Sequence, residues 1–578
     1  MPSRSGRVHV ATTKRHYQGK VYQTHLLRRS FRVGHQVKHE TLGNISHLRA
    51  DLIDLIRRSL AGEKFVSVTD AFTVQHTLPH GHVEAVLGTI RQLGLESWIA
   101  SRRCQQRDLV TAMIVERLIH PCSKLATTRL WHTTTLAQEL SVESYDEDDL
   151  HEALDWLLAR QQRIENKLAE RHLSEGALVL YDVSSSYYEG RHCPLARYGH
   201  DRDKSALPII VYGVLTDPEG RPVAVDVYPG NTGDPTTVPD QVQKLRQRFG
   251  LSRVVLVGDR GMLTQTQIEK LQQYPGLGWI SALRSPSIRG LVDGGYLQLS
   301  LFDQVNLAEI TSPDYPGERL IACFNPLLAE QRRGRRQELL AATEEELAKI
   351  TKEVARRKRK PLRAAEIGVK VGKVLNRFKM AKHFTTTIDD GVFRWARQEP
   401  SIRREGELDG IYVIRTSEEK QRFSAQDTVR HYKSLAQVER AFRCLKGMDL
   451  RVRPLYHRTA DHVRAHIFLC LLAYYVEWHM RQALAPILFA DEELDQDRKR
   501  RDPVAPAQPS VSAKRKKAHR RTPDGLAVQS FETLLKTLAN RTRNTCQIKS
   551  DSSGQTFQQV TAPTPLQARA FQLLGLGL

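Results

Sequence analysis

The sequence predicts an α/β protein, and three observations carry that expectation. Short apolar runs of strand length follow one another from Gly176: ALVLYDVSS, LPIIVYGVLTD, PVAVDVYPG, RVVLVGD and LGWISALR. Two runs of helical period, TTVPDQVQKLRQRFG and TQTQIEKLQQY, sit between the later ones, so the order is strand, strand, strand, helix, strand, helix, strand. Turn residues punctuate the series: Asp217-Pro218-Glu219-Gly220 joins the second strand to the third, and Gly250 closes the first helix.

On either side of this segment the pattern differs. Residues 1–50 are basic and predict a hairpin, with VYQTHLL and VKHETLG flanking RRSFRVGHQ. Residues 51–175 are mostly helical by period, as in VTAMIVERLI and HEALDWLLARQQRIENKLAERH. Between those two lies HPCSKLATTRLWHTTTLAQEL, short helix signals around a Ser/Thr-rich break. It suits a helix-turn-helix or a helical hairpin that binds nothing. Residues 176–284 form the α/β segment, and residues 285–422 lose its regularity. There, strand candidates GYLQLSLFD and ERLIACFN flank a long charged helix over 327–360, which either packs within the segment or makes a coiled-coil contact. Within 423–490, AQDTVRHYKSLAQVERAFRCLKGM predicts one helix, and a strongly apolar helix follows over 461–485. Residues 491–525 are charged and Pro-rich and read as a disordered basic linker, and residues 526–578 as a tail with one short helix.

Composition narrows the partners. The 578 residues are 40% apolar, enough for a sizeable core. Lys and Arg number 87 against 65 Asp and Glu, a formal net charge of +22. Such a surplus favours a polyanion, because each phosphate neutralised releases condensed counterions. An anionic membrane would call for a basic amphipathic helix or a lipid anchor, and neither is evident. The N-terminus has no apolar signal region, and the longest apolar stretch, Ile467 to Val476, is too short to span a bilayer. Seven scattered cysteines without a C-x-x-C pair fit a reduced, cytoplasmic protein without structural zinc.

The chemistry-bearing residues are carboxylates at strand ends. Asp182 sits where the first apolar strand emerges, and Asp259 directly follows the fourth, before Arg260-Gly261. Ligands gather at the carboxyl ends of strands in open α/β sheets. Two carboxylates brought together repel unless a cation lies between them. Mg²⁺ takes carboxylate oxygens and leaves positions for phosphate and water. Two such ions about 3.5–4 Å apart serve phosphoryl transfer. Glu439 is the candidate third carboxylate: Tyr432, Leu435, Arg443 and Lys446 stand at −7, −4, +4 and +7 from it, one face of a single helix. Other acidic residues read more plainly. Asp234 in GNTGDPTT is a turn residue before Pro235, and Asp201 and Asp203 are loop charges beside Arg202 and Lys204. Arg260 is read equally as a phosphate contact or as half of an ion pair. His462 and His466 are one helical turn apart, a zinc-like spacing with no third ligand evident, so they read as satisfied or solvent-facing.

The strand–helix order with Asp182, Asp259 and a helical Glu439 resembles the ribonuclease-H-like catalytic core of DDE transposases. The strings LYDVSSSYYEG, GNTGDPTT, LVGDRGM and YKSLAQVERAFRCLK are similar to a large group of bacterial insertion-sequence transposases with a Tyr-x2-Arg-x3-Glu-x6-Lys signature. This chain has Tyr432, Glu439 and Lys446 in that spacing, with Leu435 in place of the Arg. The resemblance covers roughly residues 5 to 575. It implies a ribonuclease-H-like core split into 176–284 and 423–490 by a β-rich (α+β) insertion at 285–422, with helical N- and C-terminal regions and DNA recognition over 51–175. It implies catalytic metal ligation by Asp182, Asp259 and Glu439, with two Mg²⁺ ions or Mn²⁺ in their place. Asp182 would bridge the ions, and the other two would hold one each. Tyr432, Lys433, Arg443, Lys446 and Arg260 would contact DNA. The implied partners are duplex DNA at the element ends and target, and a second copy of the chain in the synaptic complex. The implied activity is metal-dependent cleavage at the terminal inverted repeats and joining of the 3′-hydroxyl ends to target DNA, at the bacterial nucleoid. Two alternatives share these residues: a nuclease of the same fold without strand transfer, and a non-catalytic DNA-binding derivative.

Overall fold

Eight runs pair into one mixed sheet, whose strands we label in chain order: β1 (Ala177–Tyr187), β2 (Ile209–Thr216), β3 (Pro222–Pro229), β4 (Val254–Val257), β5 (Leu277–Ala282), β6 (Leu307–Ile310), β7 (Arg319–Phe324) and β8 (Ile411–Thr416). The computed structural model describes residues 6–65, 71–447, 449–505, 507–549 and 555–577. The sheet order is β6-β7-β8-β5-β4-β1-β2-β3. β1, β2 and β3 form an antiparallel meander. β4 lies parallel to both β1 and β5. β4 and β5 are buried along their whole length, as expected of the unbroken apolar runs VVLV and LGWISA in the sheet centre. The β2–β3 turn is closed by the Asp217 carboxylate, which accepts the N–H groups of Glu219 (3.1 Å) and Arg221 (2.9 Å). Gly220 within it has φ +87°, a conformation that favours glycine.

Helices cover the sheet. Gln265–Leu271 crosses from β4 to β5, and Leu435–Lys446 packs on β1. The apolar helix Ala460–Ala483 is buried over most of its length because it packs against β3 and against Gly81–Leu93, Gln105–Ile119 and Glu147–Leu158. These helices and the sheet share one continuous core. Among the described residues no helix is long and apolar enough to cross a membrane.

Residues 285–422 do two things. β6, β7 and β8 extend the sheet beyond β5, with β8 antiparallel to it. The remainder builds its own core, in which Leu340, Leu347, Ile350 and Val354 of the 31-residue helix Pro326–Arg356 meet Ile367, Val371, Phe384 and Phe393. The charged helix therefore packs inside this segment, and its apolar residues at three- and four-residue spacing account for that.

An N-terminal unit comprises residues 1–77 with 543–561. The expected hairpin is a three-stranded antiparallel sheet, Arg7–Tyr17, Lys20–Val33 and Gln36–Asn44. The basic run RRSFRV continues the middle strand instead of turning. Helix Ala50–Leu60 follows, and Phe72–Pro79, inside the stretch expected to be helical, is a strand. It joins Thr542–Ile548 and Thr556–Val560 in a second sheet. The tail is thus more than one short helix, because TRNTCQI and TFQQV find partner strands far away in sequence.

Two further expectations need correction. Residues 491–525, read as a disordered linker, carry helices Leu494–Arg500 and Val511–His519. The Lys516 ammonium is buried there, donating to the carbonyls of Ala485 (2.8 Å) and Ala490 (3.3 Å) and pairing with Glu492. Carbonyl acceptors and the Ser510 cap order a stretch that composition alone marks as polar. The single helix over 425–448 is two, Ala425–Lys433 and Leu435–Lys446. At the break the Ser434 hydroxyl donates to the His431 carbonyl (2.5 Å), a local bond that competes with the helical ladder.

Candidate active site

Register brings the first two carboxylates together. The last parallel rung between β1 and β4 is Leu180–Val257. Asp182 and Asp259 each stand two residues past it, so both lie just beyond the carboxyl end of β4, Asp182 within β1 and opposite Val214 of β2. Asp259 is exposed and is fixed by its own loop: its carboxylate accepts the N–H groups of Gly261 (2.9 Å) and Met262 (2.8 Å), and the Ser281 hydroxyl donates to its carbonyl (3.2 Å). Asp182 is half-buried and accepts the Val183 N–H at 2.8 Å. Burial, and then the charge of Asp259, push its carboxyl up to about 7.

Glu439 joins them from the helix that packs on β1. Asp182, Asp259 and Glu439 line one cavity of about 380 Å³ with Ser184, His200, Arg202, Asp234 and Phe442. Glu439 is exposed, and among the described residues neither it nor Arg443 has an ion-pair partner. Four carboxylates, counting Asp234, thus face one space with a single arginine among them, and that arginine pairs with Asp234. Oxygen donors of this kind fit a hard divalent cation, and the proton affinity forced on Asp182 is what a cation would relieve.

The other expected residues divide. Tyr432 lies on the preceding helix, not on that of Glu439, yet faces the same charges: burial, and then Asp259, push its phenol up to about 12. Arg260 is exposed beside Asp259, its carbonyl accepting from Arg284 Nε at 3.2 Å. Arg443 is exposed, one turn beyond Glu439. Lys446 pairs with Asp203 at 3.5 Å, and burial pulls its ammonium down. Lys433 donates to the Pro503 carbonyl and lies 5.9 Å from the Tyr412 ring centre, so it does not line the cavity. Leu435, in the signature's Arg position, is buried.

Three neighbours depart from their sequence reading. Asp234 is more than a turn residue, since it lines the cavity and pairs with Arg202. Asp203 pairs with Lys446 and Arg453 instead of its sequence neighbours. Asp201 closes its own loop, accepting the Asp203 N–H (2.8 Å) and the Ser205 hydroxyl (2.8 Å). His200 and Arg202 were not singled out by sequence. Their only signal is the polar run YGHDRDKS between two strands.

Two family models match the chain. The family model described as the transposase DDE domain matches residues 178–476, just over half of the chain. That of the N-terminal domain of IS1634 family transposases matches residues 10–68. No curated protein matches the chain. With both matches in the order found in this sequence, the chain belongs to the insertion-sequence transposases of the DDE type.

Proposed function

We propose that this transposase cuts the ends of its mobile element and joins their 3′-hydroxyls to target DNA at the cavity of Asp182, Asp259 and Glu439. One observation carries the reading: carboxylates from β1, from the loop after β4 and from the helix Leu435–Lys446 line a single cavity, and Glu439 has no counter-cation there among the described residues. The meander β1–β3 followed by parallel β4 and β5 supports a ribonuclease-H-like core, with 285–422 as its insertion. Asp182, Asp259 and Glu439 would hold two Mg²⁺ ions, or Mn²⁺ in their place, and ions held there supply Lewis-acid chemistry to phosphoryl transfer.

The chain's own groups do the rest. The Gly261 and Met262 amides fix the Asp259 carboxylate, which spares the site that reorganisation during reaction. The neutral Tyr432 hydroxyl donates a hydrogen bond to a phosphate oxygen. Arg260 and Arg443, exposed at the cavity's flanks, grip the DNA backbone, and Arg202 holds Asp234 as its counter-charge. The net charge of +22 draws duplex DNA to the protein. Two copies of the chain, one at each element end, form the synaptic complex.

Labelled duplexes carrying the element ends, incubated with Mg²⁺ or Mn²⁺, test this with wild type and Glu439→Gln. Wild type nicks and joins the ends, and the variant binds them and does neither. Cleavage by the variant at the wild-type rate would remove Glu439 from the site, and tight binding without cleavage by wild type would overturn the catalytic reading.

A further inference from the structure

A second cluster lies away from the carboxylates. We propose that His151, His457 and His462 form a binding site for a zinc-class transition-metal ion that ties the helix Glu147–Leu158 to the start of the helix Ala460–Ala483.

One donor atom from each of the three histidines lies within 4.8 Å of the others. The rings of His151 and His462 are stacked at 4.9 Å, and those of His151 and His457 meet edge-on at 5.6 Å. The two helices and the connector that supply them are packed together on the main core, and the three histidines are half-buried at its margin. His151 Nδ1 is buried with no hydrogen-bond partner, an unmet donor or acceptor that native interiors rarely leave. His462 Nε2 lies 3.2 Å from the Asp155 carboxylate, the carboxylate–imidazole pairing that orients a metal-binding histidine through its other nitrogen.

The surroundings favour a soft-to-borderline metal over Mg²⁺. The three histidines line a cavity of about 790 Å³ together with Cys122 and His466. The His466 ring is 5.0 Å from that of His457, and its Nε2 is 3.8 Å from Cys470 Sγ. Imidazole and thiol suit zinc, whereas Mg²⁺ prefers oxygen. Arg117, Lys124, Arg451, Arg453 and Arg458 on the cavity wall oppose a dication, while Glu147 and Asp148 there and Asp155 beside His462 favour one. Zinc–nitrogen bonds of about 2.0–2.1 Å in a tetrahedron set donors about 3.4 Å apart, so the three donors must draw closer and the stacked rings of His151 and His462 must turn apart. Three protein ligands leave the fourth position open to the cavity.

Titration of the full-length protein with Co²⁺, which reports tetrahedral coordination by its visible absorption, tests the site, with Zn²⁺ as competitor. Beyond any ion held by the carboxylates, wild type and Glu439→Gln are each expected to bind one Co²⁺ with a tetrahedral spectrum that Zn²⁺ abolishes. His151→Asn and His457→Gln should bind at least about 100-fold more weakly. No tetrahedral band in wild type, or an unchanged band in both histidine variants, would overturn the proposal. If circular dichroism shows those variants unfolded, the wild-type melting midpoint decides: a rise with Zn²⁺ supports the site and no rise sinks it.

Discussion

Asp182 and Asp259 occupy equivalent offsets beyond the same parallel rung, Leu180–Val257, so the register of two strands fixes their separation. Asp182 is held within β1, while Asp259 begins the loop after β4 and is fixed there by the Gly261 and Met262 amides. Their charges oppose each other, and Asp182, the more buried, bears the cost.

Asp182→Asn is therefore expected to lower cleavage by about 10²–10³-fold, the equivalent of several kcal/mol of lost charge stabilisation. Affinity for element-end DNA should hold or rise, since a negative charge facing phosphate is removed. Parallel rate and filter-binding measurements check both halves. A loss of DNA affinity equal to the loss of rate would mean that Asp182 acts in binding.

Arg202 pairs with Asp234 on the cavity wall, so Arg202→Gln adds one net negative charge to the site. The Mg²⁺ concentration for half-maximal cleavage should fall, while the rate at saturating Mg²⁺ drops about tenfold, near the lower end of a charge-assisted hydrogen bond's worth. A rise in the Mg²⁺ requirement would show that Arg202 is not a counter-charge.

Arg415 of β8 and Glu318 before β7 form a pair with side chains 6% and 2% exposed, and Arg415 also donates to Gln265 Oε1 at 2.9 Å. Glu318→Ala leaves the guanidinium buried without its carboxylate. A destabilisation of about 3–5 kcal/mol is expected, read as an earlier urea transition. The double change Glu318→Leu with Arg415→Met should recover most of it.

His82 is buried, and burial with the nearby His120 and His80 pushes it from 6.5 down to about 3. The unfolded chain binds this proton first, so stability is fully present above pH 6.5 and is lost as pH falls towards 3. The slope from this group is up to about 1.4 kcal/mol per pH unit. Melting midpoints between pH 7 and 4 should fall less steeply for His82→Gln than for wild type.

Much of the architecture was legible because its signals are local. The runs VVLV and LGWISA announce buried strands, and Asp217 with Gly220 announces the β2–β3 turn. Asp259 follows directly from a strand end, whereas Asp182, expected at one, lies within β1, which runs on to Tyr187. What stayed hidden depends on pairing across the chain. Nothing local in YGHDRDKS says that Arg202 meets Asp234, or that Asp203 meets Lys446. The helix break at Ser434 turns on one hydroxyl, and the order of 491–525 on carbonyls that accept from a lysine. His151 and His457 could not be joined to His462 by spacing, because they come from a distant helix and a connector.

The sheet of the N-terminal unit has a consequence for how the protein is made. Phe72–Pro79 takes Thr542–Ile548 as its neighbour, a strand about 470 residues later in the chain, and Gln75 and Thr77 bond Gln547 and Asn544 across that seam. At about 5–20 residues per second, the partner leaves the ribosome roughly half a minute to a minute and a half after the strand that awaits it. A chain whose synthesis stops early carries the carboxylates and most of the core, but its N-terminal unit stays unfinished. Translation to the end thus times the completion of that unit.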